Sequence, residues 1–171
     1  MKSLLLFALL IFLLGFLPDE NNVMPVDGAT TRDWNQQSFW YYPWGRSGVH
    51  KGIDIFAAKG TPVRAPTGGI VLFSGSYGRG GQVVYMLGAN WRFHYFAHLD
   101  RVILPWHRVV SAGQQVGTVG TTGNAQGKAP HLHYTIKSLF PRFWKYRRND
   151  YAAWQKVFYL DPGKFIQGIP Q

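Results

Sequence analysis

Hydrophobic and polar positions follow three different patterns along this chain. Residues 3–17 (SLLLFALLIFLLGFL) are apolar almost without a break, with Lys2 before them and Pro18 after. A helix of that length spans roughly 22 Å at about 1.5 Å per residue, short of the ~30 Å hydrocarbon core of a bilayer. No face of it is polar, which argues against a buried core helix. Residues 1–17 therefore fit a signal peptide or a retained N-terminal anchor, and no small-x-small cleavage site follows them. Residues 18–38 are polar and rich in Pro, Asn, Asp, Gly and Thr, so they read as a linker. The folded part is expected over 39–171. There the pattern shortens to β-type runs at 69–73, 82–87, 91–97, 115–119 and 133–136, separated by glycine-rich turns at 74–81 and 120–127. Short strands at this interval predict an all-β fold, a small antiparallel sheet or sandwich. Near the end, Tyr151, Trp154 and Phe158 recur at helical spacing. They predict a short C-terminal helix over 150–158 capped by Asn149, then a turn at Asp161-Pro162-Gly163.

Composition narrows this picture. The 171 residues are 46% hydrophobic and 16% aromatic, enough for one modest core and unlike a disordered chain. Cysteine is absent, which excludes disulfides, thiolate metal sites and acylation at a cysteine. Any metal site must use histidine and carboxylate. The net charge of +10 suggests an anionic partner such as nucleic acid, anionic lipid or an acidic polymer. The export segment and the lack of any nucleic-acid-binding motif argue against nucleic acid. The segment 140–148 (FPRFWKYRR) alternates aromatic and basic residues. It suits an aromatic edge packed on the sheet, or a surface facing anionic wall polymer or a membrane.

The chemistry rests on six histidines: His50, His94, His98, His107, His131 and His133. In His50-Lys51-Gly52-Ile53-Asp54, a spacing of four puts both functional side chains on one face of an extended segment. In His131-Leu132-His133, strand alternation turns both imidazoles to one side and Leu132 to the other. Two histidines and an aspartate suit zinc and leave a fourth position open for water. Each pattern alone is weak; together, in a chain with eight acidic residues, they favour a metal. Glu20, beside the apolar N-terminal run, is the only glutamate, so a proton acceptor in the domain should be a histidine. One of His131 and His133 can be a ligand and the other catalytic. His98, in Phe96-Ala97-His98-Leu99, is the natural second catalytic histidine. His94 and His107 match no pattern and are expected to be structural or superficial, although His94 is an even step from His98.

These three motifs, in this order, resemble the lysostaphin-like, or LytM-type, zinc metalloendopeptidases that hydrolyse peptidoglycan. Flanking stretches at 60–71 (GTPVRAPTGGIV) and 112–123 (AGQQVGTVGTTG) are similar to that family's strand and turn signatures. The resemblance covers about residues 42–137. It implies zinc bound by His50, Asp54 and His133, catalytic roles for His98 and His131, and a groove in a small antiparallel β-sheet domain. It also implies peptidoglycan as partner and a location outside the cytoplasmic membrane, in the periplasm or on the membrane's outer face. Residues 3–17 could serve as a membrane tether, and a monomer is expected. Related modules that regulate other wall hydrolases without catalysis typically lose zinc ligands, and all five positions are intact here. The chain departs from the family at Phe96, where tyrosine is common, and at Thr135, where glutamate is common. Tyr42 is a candidate for the family's accessory tyrosine, with packing as its simpler role.

Overall fold

The structure, a computed structural model, describes residues 2–15 and 22–168. Helix α1 (Lys2–Leu14) leaves Leu4, Phe7 and Leu10 exposed. Among the described residues, no helix is long and apolar enough to cross a membrane. The end of α1 touches the folded body: the Trp91 indole N–H donates to the Phe12 carbonyl (2.9 Å), and the Phe12 and Phe140 rings meet edge to face. The last two residues of the expected apolar segment, and positions 18–21 of the expected linker, lie outside the described residues.

Among the described residues nine strands follow: β1 (Ile53–Phe56), β2 (Pro62–Arg64), β3 (Gly69–Ser76), β4 (Gln82–Gly88), β5 (Arg92–Val102), β6 (Val109–Val110), β7 (Gln115–Val119), β8 (His131–Ser138) and β9 (Tyr159–Leu160). They form a single sheet in the order β1-β8-β5-β4-β3-β6; β7 joins β2 to the far end of β5, and β9 adds to β8. Every pairing is antiparallel, so the fold is mostly antiparallel β, as the spacing of the short runs predicts. Alternation sends Ile53, Ile55, Leu132, Tyr134, Ile136, Phe96, Val84 and Met86 to one face, where all are essentially inaccessible. Burying aliphatic or aromatic side chains of this size contributes about 1.5–3 kcal/mol each. The opposite face of β1, β8 and β5 is left for chemistry.

Residues 22–38 do not behave as a free connector. Val26 bridges to Val63 and is fully buried, Trp34 joins the core, and the Asp27 carboxylate pairs with the Arg64 guanidinium. The apolar residues of this stretch (Val23, Met24, Val26, Ala29 and Trp34) follow no regular period, so composition alone describes the stretch as linker. The C-terminal helical reading also shifts. Helix α2 covers only Ala153–Lys156, entered through Ala152 in a left-handed conformation (φ 52°) rather than through Asn149. The predicted turn at Asp161 instead starts helix α3 (Pro162–Gln167): Asp161 Oδ1 accepts from the Gly163 and Lys164 N–H groups, with proline at the first helical position.

One irregularity positions the site. Phe96 pairs with Val84 and Leu99 with Gln82, so Ala97 and His98 together face Val83 in a β-bulge. His98 takes φ 64°, a left-handed conformation unusual for a side-chain-bearing residue in a strand. At the same point β5 exchanges its neighbour β8 (Ala97↔His133) for β7 (Leu99↔Val119).

On the core side of the bulge, His94 is fully buried. Its Nδ1 is 2.7 Å from the Tyr134 hydroxyl, while Nε2 has no hydrogen-bond partner among the described residues. Burial pushes its pKa from 6.5 down to about 3, with a smaller contribution from Arg92. Between pH 6.5 and about 3 the unfolded chain therefore binds a proton at this position that the folded chain refuses, and stability falls as pH falls. Denaturant titrations of the metal-free chain at pH 7.5 and 5 should show this loss, with a slope from His94 approaching 1.4 kcal/mol per pH unit. His94→Gln should flatten the dependence; an unchanged slope in that variant would assign the effect elsewhere.

Candidate metal centre and active site

Three side chains converge on the open face of the sheet. Asp54 on β1 lies directly across from His133 on β8, so alternation turns both outward. His50 precedes β1 in an irregular segment held by two backbone hydrogen bonds, Trp40 N to His50 O (2.7 Å) and His50 N to Tyr41 O (3.0 Å). Gly52 lets this segment run against β8: a Cβ there would collide with the Tyr134 carbonyl oxygen and the Thr135 hydroxyl. The Trp44 ring stacks on the His50 imidazole, with centroids 4.3 Å apart.

One donor atom from each of His50, Asp54 and His133 lies within 4.8 Å of the other two. His50 Nε2 is 3.2 Å from Asp54 Oδ1 and 3.1 Å from His133 Nδ1, and His133 Nδ1 is 2.8 Å from Asp54 Oδ1. The outer ring nitrogens are held from behind. His50 Nδ1–H donates to the Ser38 carbonyl (3.1 Å), and His133 Nε2 meets the Thr135 hydroxyl (3.1 Å). This back support turns the His50 Nε2 inward, where it donates to Asp54 when protonated and presents a lone pair to a cation when neutral. Lone-pair atoms brought this close repel one another unless a proton or a cation lies between them. Two imidazoles and a carboxylate, supported from behind, suit a borderline divalent cation such as zinc. Burial alone would raise the Asp54 pKa. The hydrogen bonds and positive potential of His133 and His50 outweigh it and hold the carboxyl well below the usual carboxylate range.

His98 and His131 stand beside this cluster, their rings 5.1 Å apart, and His98 is 6.0 Å from His133. His131 shares the outward face with His133, two residues along β8. Strand alternation by itself would turn His98 into the core, because Ala97 is the residue opposite His133; the bulge reverses it. Each ring is pinned through Nδ1–H, His98 to the Thr122 carbonyl (2.9 Å) and His131 to the Ala129 carbonyl (2.8 Å). In both, Nδ1 is engaged and Nε2 is the nitrogen left for chemistry. Burial lowers the His98 pKa to about 4, against a raising contribution from the Thr122 carbonyl, so the ring is neutral at pH 7.

All five sequence-predicted residues line one groove of about 390 Å³, together with Trp44, Arg79, Tyr95, Asn124 and Lys128. The accessory-tyrosine candidate Tyr42 lies elsewhere, stacked on Tyr151 at 4.2 Å. Tyr95 faces the groove instead, with its ring 6.4 Å from that of His133. Its even spacing from Ala97 on β5 was the available signal. Phe96, the departure from the family pattern, is a core residue stacked on Tyr134 and cannot reach the groove. Thr135 supports His133. His107, as expected, lies away from the cluster in an exposed loop.

Comparison with known proteins bears on the family and the fold. The sequence model of peptidase family M23 matches residues 48–143. The L-Ala–D-Glu endopeptidase of Bacillus subtilis is 36% identical over 111 residues, covering 60% of this chain and 34% of that protein. The DD-carboxypeptidase/endopeptidase Mpg of Neisseria meningitidis is 41% identical over 89 residues, covering 52% of this chain and 20% of that protein. The chain thus spans only 34% and 20% of the length of these two relatives. Among solved structures, the catalytic domain of lysostaphin from Staphylococcus simulans superposes with a TM-score of 0.61 at 25% identity, covering 81% of this chain and 96% of that one. A family match across more than half of the chain, an antiparallel sheet shared with a solved family member, and a His/Asp cluster able to hold a metal lead to one assignment: the chain belongs to peptidase family M23.

Proposed function

We propose that the chain is a zinc-dependent endopeptidase that hydrolyses peptide cross-links of bacterial peptidoglycan. His50, Asp54 and His133 hold the metal, and His98 and His131 are the catalytic histidines. One observation carries this reading. Two histidines with pinned Nδ1–H groups stand in the same groove as the three-donor cluster, with their Nε2 atoms available for chemistry. When bound there, zinc polarises a carbonyl and makes water nucleophilic near neutral pH.

The chain's own residues do the rest. The groove walls hold an extended peptide across the cluster. One of His98 and His131 accepts a proton at Nε2 from the attacking water and returns it to the leaving amine. The other, protonated from solvent, donates a hydrogen bond to the developing oxyanion. In this reading residues 39–171 are the peptidase domain, with 22–38 packed against it. Residues 3–17 export or tether the chain, which then works as a monomer in the periplasm or on the outer face of the cytoplasmic membrane. A regulatory module without catalysis is the competing reading; the five retained and clustered side chains favour the enzyme.

The test is digestion of purified walls cross-linked through D-alanyl-diaminopimelate bonds or through glycine bridges, with fragments identified by mass. Fragments should appear from one wall type, vanish with a chelator and return with added zinc. No metal uptake together with no fragments from either wall would replace the enzyme by the regulator.

A further inference from the structure

We infer that the groove selects peptides carrying a free carboxylate on each side of the bond to be cut, with Arg79 and Lys128 receiving one and Lys51 and Lys137 the other. The inference rests on the endopeptidase reading above and adds the substrate class.

The groove has two arms that meet at His50 and His133. One arm holds the catalytic histidines and is lined by Arg79 and Lys128. The other runs past Thr135 toward Tyr159 and is lined by Lys51 and Lys137. Among the described residues, neither arm has an acidic residue in its walls except Asp54, which is already engaged by His50 and His133.

The remaining described carboxylates are committed elsewhere. Asp27 pairs with Arg64, Asp100 with Lys59, and Asp150 with Lys156. Asp33 accepts from Thr30, and Asp161 caps α3. Among the described residues, then, no carboxylate pairs with any of the four groove cations. The ammonium groups of Lys51 and Lys137 lie over the rings of Tyr159 and Phe158, each 5.9 Å from the centroid. Those faces hold the long side chains against the protein at the groove edge, and the charges stay available.

A peptide made of glycine offers these cations no side-chain carboxylate. A cross-link built on diaminopimelate and glutamate offers free carboxylates on both sides of the scissile bond. Complementary charge at both ends also fixes the direction and register in which a peptide lies across the catalytic histidines.

The experiment measures binding, so that turnover does not enter. Full-length chain carrying His131→Ala is titrated with three peptides: a diaminopimelate cross-linked stem-peptide dimer, the same dimer with its carboxylates amidated, and pentaglycine. The native dimer should bind at least roughly tenfold more tightly than the other two, and the preference should shrink as salt is raised. Adding Lys51→Met with Lys137→Met, or Arg79→Gln with Lys128→Gln, should each weaken binding of the native dimer roughly three- to tenfold. Neither pair should change binding of the amidated dimer. These side chains are at the surface, and an unchanged melting temperature would verify folding. Equal binding of native and amidated dimers, or no binding of the native one, overturns the inference. The endopeptidase reading fails separately, if the wild-type chain loaded with zinc binds the native dimer yet releases no fragment from it.

Discussion

Replacing Asp54 or His133 by alanine should leave the chain without bound metal and without hydrolytic activity. The wild-type chain is expected to carry one zinc per molecule by metal analysis, and either variant close to none. Both residues sit in the triangle of donors whose sides are 2.8–3.2 Å. Removing one corner leaves two ligands and an uncompensated opening. A catalytic metal supplies several kcal/mol of transition-state stabilisation, so turnover should fall by about 10³-fold or more. Stability should respond as well. A metal that binds only the folded chain adds about 4 kcal/mol when its free concentration is 1,000 times Kd, so added zinc should raise the wild-type melting temperature. The variants should melt at a temperature independent of zinc. Full metal occupancy in Asp54→Ala would remove that residue from the ligand set.

The second large effect is expected at His98 and His131. Alanine at either position should spare metal binding and folding and still lower turnover. General acid–base catalysis is typically worth about 10²–10⁴-fold, and an oxyanion donor about 10²–10³-fold. The double variant should be little worse than the poorer single one, because groups that act as a unit are not additive. The pH profile provides a second readout. Burial holds His98 neutral down to about pH 4. If its neutral form is required, the acid limb of kcat/KM should therefore lie well below the ordinary imidazole value of 6.5. Near-full activity of His98→Ala on a defined cross-linked peptide would overturn this mechanism. No simple substitute stands nearby, since His94 is sealed in the core and the other described carboxylates are tied to partners outside the groove.

Parts of this protein are legible from residue order because the physics involved is local. The two-residue period of a strand is enough to put His131 and His133 on one side and Leu132 on the other, and the structure shows that arrangement. The spacing of four between His50 and Asp54 likewise anticipates their convergence, although His50 lies before β1 rather than within it. The antiparallel fold follows from short apolar runs broken by glycine. By contrast, Val26 and Trp34 look like stray apolar residues in a polar stretch, and only their distant contacts make them core.

His94 and His98 show where residue order stops. Their even spacing suggests a shared face, yet one is buried beneath the sheet and the other opens into the groove. The bulge at Ala97 and His98 arises because β5 pairs with β8 on one side of that point and with β7 beyond it, a long-range constraint no local pattern carries. The groove's charge has the same origin. Lys51, Arg79, Lys128 and Lys137 are scattered through 87 positions of sequence numbering, ordinary basic residues of a basic chain. Sequence by itself determined the donor types, their local facing and the sheet class, since these depend on neighbours a few residues away. Tertiary structure alone decided which histidine meets the groove and which cations flank it, since strand pairing brings together residues that the chain keeps far apart.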